Sequence, residues 1–180
     1  MEIKLLILDV DGVLTDGTKN YDEGHSVLSK RYYCKDFTAI KRFMAAGVKV
    51  VLLSGDNFNS KMAKKRNLTF HCSRGDDLSL DKSRFLKQFQ DTYNVSVENM
   101  AFVGDDYFDL SIIKEVGHSF CPSDSPKIVK NNCEVILKSK GGEGVIVELY
   151  DRLVDLYFLE PSEDDVNDLD KKESASEDMS

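Results

Sequence analysis

An apolar run that ends in two carboxylates is the feature that most constrains how this chain folds. Residues 5–8, Leu-Leu-Ile-Leu, carry no charge, and Asp-Val-Asp-Gly follows at residues 9–12. A short apolar run before a turn signal predicts a buried β-strand. In open α/β sheets, ligands bind in the crevice outside the carboxyl ends of the strands. Asp9 and Asp11 would repel each other there, and Mg²⁺, which takes oxygen ligands, would relieve that repulsion.

On its own, the sequence Asp-x-Asp-Gly is equally typical of an ordinary acidic turn. Three further groups of polar residues favour a functional site instead. They are Ser54 and Gly55 after the apolar segment 48–53, Lys82 in the amphipathic segment 80–93, and Asp105, Asp106 and Asp109 after the apolar segment 101–103. Each group alone is a weak signal. Together, and in this chain order, they indicate one site at the strand ends.

Predicted strands and helices alternate along the chain, which indicates βαβ crossovers and a doubly wound parallel α/β sheet. Within residues 18–33, the turn Asp-Glu-Gly separates two short segments, so we expect a β-hairpin that forms a flap over the site. Asp36 is expected to be the N-cap of a helix over residues 37–46. Lys82 is expected on a long helix, and residues 145–159 on the last helix.

The spacing of the motifs leaves no room for a separate cap domain. Ser54 lies 43 positions after Asp11, and Lys82 lies 28 positions after Ser54. The hairpin and βα units occupy these gaps, whereas an independent domain needs roughly 50 residues to form its own core. We therefore expect an open site that either accepts a large substrate or takes its lid from a neighbouring subunit.

Negative charge is concentrated in the last part of the chain. The 180 residues carry a net charge of −8, and residues 160–180 alone contain nine acidic residues and two lysines. With almost no large apolar side chains, this segment is expected to be a disordered acidic tail, or alternatively a segment that docks on a neighbouring subunit. Residues 1–159 are expected to form one domain.

Composition also excludes several classes of partner. The acidic charge is a poor match for nucleic acid, and the absence of an 18-residue apolar stretch predicts no membrane span. The four cysteines have no metal-type spacing. Because the first residues lack the layout of a secretion signal, we expect reduced thiols in a cytoplasmic protein.

As a set, the motifs resemble those of the haloacid dehalogenase-like phosphatases, from about residue 3 to about residue 159. The matching residues are Asp9 and Asp11, Ser54, Lys82, and Asp105 with Asp109. The resemblance implies a Mg²⁺-dependent phosphomonoester hydrolase in which Asp9 is the nucleophile and forms an aspartyl phosphate. It also implies that Asp11 protonates the leaving oxygen and later deprotonates water.

The same resemblance assigns roles to the other motif residues. The implied metal ligands are Asp9, Asp105 and the backbone carbonyl of Asp11. The implied phosphate-binding residues are Ser54, Gly55 and Lys82. Asp109 would hold Lys82 or a metal-bound water. For Asp106, a place in the ligand shell and a solvated surface position remain open.

Within this family, the chain is similar to the capless subgroup that removes phosphate from 2-keto-3-deoxy sugar acids. Enzymes for the eight-carbon 3-deoxy-manno-octulosonate 8-phosphate usually have arginine after the second-motif glycine and in a Gly-Gly-Arg-Gly sequence near the end. Here Asp56 and Glu143 occupy those positions. These acids favour a nine-carbon, sialic-acid-type 2-keto-3-deoxynononate 9-phosphate, with the eight-carbon compound as the alternative.

Members of this subgroup are homotetramers in which the hairpin and a neighbouring subunit close the site. The resemblance therefore implies a homo-oligomer. The candidate substrate or interface residues are Tyr32, Lys35, Asp56 and Glu143. Two alternatives belong to other classes: a receiver-type signalling domain with Asp56 as phosphoacceptor, and a non-catalytic relative that acts as an interaction module. The receiver alternative does not require the paired acids of the first motif.

Overall fold

A six-stranded sheet lies at the centre of the structure, a computed structural model that describes residues 2–74, 81–154, 156–157 and 160–177. The strands are β1 (Leu5–Leu8), β2 (Asn20–Tyr21), β3 (Val27–Ser29), β4 (Lys49–Ser54), β5 (Thr69–Cys72), β6 (Met100–Val103), β7 (His118–Cys121) and β8 (Val135–Ile136). The helices are α1 (Cys34–Ala45), α2 (Asn59–Lys65), α3 (Phe85–Tyr93), α4 (Leu110–Ile113), α5 (Lys127–Asn132), α6 (Val145–Leu153) and α7 (Glu163–Glu177). Short 3₁₀ turns lie at Val97–Asn99 and Tyr107–Asp109.

The strand order in the central sheet is β5-β4-β1-β6-β7-β8, and every pairing is parallel. This confirms the predicted doubly wound α/β fold. Strands β2 and β3 form the predicted antiparallel hairpin outside the sheet. In the part of the chain that the structure describes, no helix is long and apolar enough to cross a membrane.

Strand β1 is apolar throughout because both of its faces are covered. Leu6 and Leu8 pack into a core cluster with helices α1 and α6, whereas Leu5 and Ile7 pack into a second cluster with helix α3. All four side chains are fully buried. Strands covered on both faces read as continuous apolar runs, and this explains why residues 5–8 show no polar alternation.

Asp36 caps a different helix from the one predicted. Helix α1 already begins at Cys34, and its N-cap, Tyr33, makes no side-chain capping bond. The buried Asp36 carboxylate instead accepts hydrogen bonds through Oδ1 from the backbone N–H groups of Ile146 (2.9 Å) and Val147 (3.1 Å). Because these amides belong to the first turn of α6, Asp36 ties α1 to the start of α6, a contact that no local pattern encodes.

Protonation of Asp36 should make the fold more stable at moderately acidic pH. Burial raises the pKa of Asp36 from 3.8 to about 6, although its hydrogen bonds to backbone amides act in the opposite direction. A carboxyl group whose pKa is raised by folding contributes stability below its unfolded pKa and loses it as pH rises through the folded pKa. Between about pH 7.5 and about pH 4.5, the parent protein should therefore gain about 2 kcal/mol relative to Asp36→Asn.

The measurement is the free energy of unfolding of the parent and of Asp36→Asn at both pH values, since the difference cancels the titration of other groups. Asp36→Ala serves as the control, because losing the cap should cost about 1 kcal/mol or more in unfolding free energy. A parent-minus-Asn difference that does not change with pH would show that burial leaves this carboxyl group unperturbed.

Helix α7 occupies residues for which the composition predicts a disordered tail. Its acidic side chains face basic residues on α1 and directly after α2, where Lys41 contacts Glu173 at 2.6 Å and Arg66 contacts Glu173 at 2.7 Å. Val166 of the same helix is also buried. Composition alone misses these partners because the basic residues are brought together only by the fold. The domain boundary at residue 159 stays a prediction.

Candidate active site

Three strand ends meet at one cavity of about 140 Å³. Strand β1 lies between β4 and β6, so Asp9 after β1, Ser54 at the end of β4 and Asp105 beyond β6 share the carboxyl edge of the sheet. The residues lining the cavity are Asp9, Asp11, Lys19, Ser54, Gly55, Asp56, Ser73, Arg74, Lys82, Asp106 and Phe108. The parallel register explains why residues far apart in sequence converge here.

A cluster of three carboxylates, of which Asp9 and Asp109 are buried and Asp105 is half-buried, lies at this cavity. One oxygen each from Asp9, Asp105 and Asp109 lie within 4.8 Å of one another. Burial raises the pKa of Asp9 to about 7, partly offset by the charge of Lys82. Burial, together with the charges of Asp9 and Asp109, raises the pKa of Asp105 to about 9. Without a cation, the raised pKa values of Asp9 and Asp105 favour their protonated forms, and a divalent cation would favour the ionised carboxylates.

The donor set fits a divalent cation. Oδ1 of Asp105 is buried, and no other described residue gives it a hydrogen bond. Such an oxygen is costly to bury unless a ligand satisfies it. Carboxylate oxygens are the ligands that Mg²⁺ takes in proteins. Asp9 and Asp105 are thus suited to hold the ion.

Gly12 is required by the close approach of the first-motif loop to this cluster. Its backbone has φ = +86°, and a Cβ at this position would overlap the Asp105 carboxylate. Both conditions are met only by glycine. The glycine of the Asp-x-Asp-Gly sequence therefore lets the loop pass directly over the fourth-motif acid.

Lys82 lies in a turn that precedes α3, which begins only at Phe85, so its expected position on a long helix is wrong. The side chain is buried, and Nζ donates to Asp9 Oδ2 (2.8 Å) and Asp109 Oδ1 (2.6 Å). Although burial alone would lower the pKa of Lys82, the charges of Asp9 and Asp109 hold it above its usual value. Lys82 therefore stays cationic at the floor of the cavity.

Asp109 and Asp106 together shape the fourth-motif loop. Asp109 is fully buried and its Oδ2 accepts from the backbone N–H groups of Asp105 (2.9 Å) and Asp106 (3.0 Å). The Asp106 side chain accepts from the N–H of Tyr107 and also from the N–H of Asp109, and this second bond completes a capping box. Asp109 forms an ion pair with Lys82, which is one of the two roles expected for it from the sequence. Asp106 lies at the cavity wall and caps the short helical turn that follows it.

A polar network around Asp11 was missed by sequence reasoning. Lys30, at the end of β3, has a fully buried side chain that donates to both Asp11 oxygens (2.7 and 2.8 Å) and to Asp56 (2.8 Å). Buried Asn59 donates to Asp11 (3.1 Å) and Ser54 Oγ (3.0 Å). No local signal distinguishes Lys30 from its exposed basic neighbour. The hairpin is thereby anchored to the first motif.

Asp56 lies at the cavity wall between two lysines. It accepts from Lys19 Nζ at 2.7 Å and from Lys30 Nζ at 2.8 Å. Burial alone would raise the pKa of Asp56, but these hydrogen bonds and charges hold it well below its usual range. Asp56 is therefore an ionised acceptor beside the second-motif Ser54, as its place in the sequence suggests.

The other three candidate substrate residues do not line the cavity. Tyr32 is half-buried and reaches the site only indirectly, through a hydrogen bond to Asn59 (3.2 Å). Lys35 is exposed on α1 and faces a separate groove with Arg42 and Tyr150. Glu143 is exposed outside the cavity. Their expected role at an interface with a neighbouring subunit stays a prediction.

The glycines around Glu143 serve a close backbone contact. A Cβ on Gly141 would overlap the carbonyl of Gly12. The N–H of Gly142 donates to the carbonyl of Val13 (3.0 Å). The Gly-Gly-Glu-Gly segment thus supports the first-motif loop through its backbone, while the glutamate itself points elsewhere than into the cavity.

Comparisons with known proteins identify relatives of this chain. A model of the haloacid dehalogenase-like hydrolases matches residues 77–149. The chain is 33% identical over 152 residues to the 3-deoxy-D-manno-octulosonate 8-phosphate phosphatase KdsC of Haemophilus influenzae, covering 84% of this chain and 83% of the relative. It is 29% identical over 155 residues to KdsC of Escherichia coli K12, covering 84% and 79%. A cobalt-bound structure of the Haemophilus influenzae phosphatase has a TM-score of 0.75 and 32% identity, covering 83% of each chain.

Fold, carboxylate cluster and these matches define the class of the protein as a haloacid dehalogenase-like hydrolase. Within that class, the chain belongs to the family of the KdsC phosphatases. The predicted family and the predicted phosphatase class are confirmed. The relatives are named for an eight-carbon compound, so they do not support the predicted nine-carbon preference.

Proposed function

We propose that the protein is a Mg²⁺-dependent phosphomonoesterase that acts on a 2-keto-3-deoxy sugar-acid phosphate through an aspartyl phosphate on Asp9. The observation that carries this proposal is the convergence of Asp9, Ser54 and Lys82 on one cavity, with Asp105 in the carboxylate cluster that includes Asp9. Such a group has the positions and charges that phosphoryl transfer requires, because that reaction depends mainly on positioning and electrostatics.

Asp9 is the nucleophile in this mechanism. Its Oδ2 lies 2.8 Å from Lys82 Nζ, which fixes the orientation of the carboxylate. A carboxylate oxygen attacks phosphorus, the P–O bond to the alcohol breaks, and water then cleaves the acyl phosphate. Asp11 gives a proton to the leaving oxygen and later takes one from water. Lys30 and Asn59 hold the Asp11 side chain at the cavity for both steps.

Ser54, Gly55 and Lys82 bind the phosphoryl oxygens. The Ser54 hydroxyl is buried at the end of β4 and accepts from Asn59, which leaves its proton free to donate. Lys82 is a buried cation within the same cavity. Charge-assisted donors in a water-poor site stabilise developing charge strongly.

Mg²⁺ is the proposed cofactor, held by Asp9, Asp105 and the backbone carbonyl of Asp11. The buried, unpartnered Oδ1 of Asp105 supports this assignment, as does the cobalt reported for the related Haemophilus influenzae structure. When bound, the ion supplies positive charge that offsets the repulsion between a carboxylate nucleophile and a phosphate dianion.

Two candidate substrates follow from different observations. The names of the relatives favour the eight-carbon 3-deoxy-D-manno-octulosonate 8-phosphate. Asp56, an ionised acceptor in the cavity wall, stands where eight-carbon enzymes usually have arginine, and this favours the nine-carbon 9-phosphate. Glu143 lies outside the cavity, so no direct contact between Glu143 and the substrate supports the nine-carbon compound.

A phosphatase screen tests the proposal. The purified protein with Mg²⁺ is assayed against eight- and nine-carbon 2-keto-3-deoxy sugar-acid phosphates, aldose phosphates of similar size, and an aryl phosphate. We expect kcat/KM for one sugar-acid phosphate to exceed that for the aldose phosphates by about 100-fold or more. Equal values for all esters would refute the substrate class, and turnover of none would refute the phosphatase.

We further propose that the protein forms a homotetramer and lies in the cytoplasm. The hairpin exposes Leu28 (62%) and Tyr21 (51%), an apolar surface that a neighbouring subunit would cover. All four cysteines are free thiols. Mass measurement in solution distinguishes a tetramer from a monomer, and Leu28→Ser should shift the equilibrium toward smaller species.

A further inference from the structure

Arg74 lies at the mouth of the cavity in a position fixed by the sheet. It comes two residues after β5, and the preceding Ser73 donates its N–H to the carbonyl of Ser54 (2.9 Å). Ser73 also accepts from the Arg84 guanidinium (3.0 Å). The backbone that carries Arg74 is therefore anchored to the phosphate-binding end of β4. Its exposed side chain lines the same cavity as Asp9 and Lys82.

The guanidinium is supported by two contacts. Its central carbon lies 5.5 Å from the centre of the Phe108 ring. The side chain also packs over Gly55, where a Cβ would lie 2.9 Å from Arg74 Nε. A stacked guanidinium loses less conformational freedom when it binds an anion, because it is already oriented. Phe108 is itself 41% exposed and lines the same cavity.

Arg74 also differs from the other cations at the cavity in its charge balance. Lys19 is paired with Asp56, Lys30 with Asp11 and Asp56, and Lys82 with Asp9 and Asp109. Within residues 2–74, 81–154, 156–157 and 160–177, no carboxylate forms an ion pair with Arg74. Among the described residues, Arg74 therefore has no ionic partner, and its positive charge at the cavity mouth can pair with an anionic group of a substrate.

We infer that Arg74, stacked on Phe108, binds the carboxylate of the substrate and so determines specificity for acid-bearing phosphate esters. This inference rests on the proposed function, in which the phosphate is bound deeper, at Ser54 and Lys82. A sugar-acid phosphate carries a second anion away from the phosphate. A planar guanidinium can bind that carboxylate with two parallel hydrogen bonds, which a lysine cannot.

The test compares matched esters in matched variants. Arg74→Ala should lower kcat/KM for the preferred sugar-acid phosphate by about 10- to 100-fold, mainly through a higher KM, because a remote binding contact is lost. The value for an aryl phosphate, which has no carboxylate, should stay within about threefold. Arg74→Lys should recover only part of the loss. Phe108→Leu should cost about two- to fivefold with the sugar-acid ester alone.

Arg152→Ala is the matched control, because Arg152 lies on α6 and pairs with Glu148 away from the cavity. Arg152→Ala should leave kcat/KM for both esters unchanged. An equal loss with both esters in Arg74→Ala would overturn the inference, since Arg74 would then act on the phosphate or on the fold. No loss with either ester would overturn it as well.

Failure of this inference can be told apart from failure of the proposed function. If the parent prefers a carboxylate-bearing ester outside the 2-keto-3-deoxy class and Arg74→Ala removes that preference, the inference stands and the substrate class falls. If no ester is hydrolysed, calorimetric titration with 3-deoxy-D-manno-octulosonate still tests whether Arg74 binds the carboxylate. The inference requires about 10-fold or more weaker binding to Arg74→Ala, and equal binding to parent and variant contradicts it.

Discussion

Replacing Asp9 with asparagine is expected to lower kcat by about four orders of magnitude or more, because an amide cannot form the acyl phosphate. The fold should be retained. Lys82 keeps its 2.6 Å ion pair with Asp109, so the substitution leaves no unpaired buried cation.

The measurement is single-turnover kinetics with the preferred ester, accompanied by thermal unfolding. Asp91→Asn is the matched control, since Asp91 is exposed on α3 and pairs only with Lys87 among the described residues. That variant should keep parent activity. Turnover of Asp9→Asn at near-parent rates would remove Asp9 from the nucleophile role.

Removal of divalent metal is expected to abolish turnover, with a loss of about three orders of magnitude or more. Re-addition of Mg²⁺ should restore it. Because the ion would bind only the folded chain, Mg²⁺ at about 100 times its Kd should add about 2.7 kcal/mol to the unfolding free energy. For a chain of this size, that raises the melting temperature by about 5 to 10 °C.

Asp105→Asn separates metal binding from a general salt effect. The variant loses the buried oxygen that lacks a protein partner, so its melting temperature should no longer respond to Mg²⁺. Asp91→Asn should respond as the parent does, and sodium chloride of equal ionic strength should not replace Mg²⁺. Full activity in excess chelator would contradict the metal assignment.

The sequence predicts the main part of this site because strand ends can be read locally. Residues 5–8 and 48–53 are apolar runs that stop at Asp9 and Ser54, and parallel pairing then places both stops at one edge. The glycine at position 12 can be predicted in the same way, because the turn after Asp11 needs a positive φ. Local patterns therefore account for the sheet and for the acids at its edge.

Other features depend on contacts between distant segments, which local patterns do not carry. Asp36 looks like the cap of its own helix but caps α6, 110 residues away. Lys30 looks like a solvated hairpin lysine but is buried against Asp11. Helix α7 looks like a free acidic tail but pairs with Arg66, which directly follows α2. In each case, the deciding partner is supplied only by tertiary packing.

The mass of the Asp9 peptide during turnover tests the central claim most directly. The protein, Mg²⁺ and the preferred ester are mixed, quenched in acid within one turnover, digested and analysed by mass spectrometry. We predict one phosphoryl group on Asp9, absent from Asp9→Asn. Phosphorylation of Asp56 instead, or steady turnover with no modified Asp9 at any quench time, would contradict it.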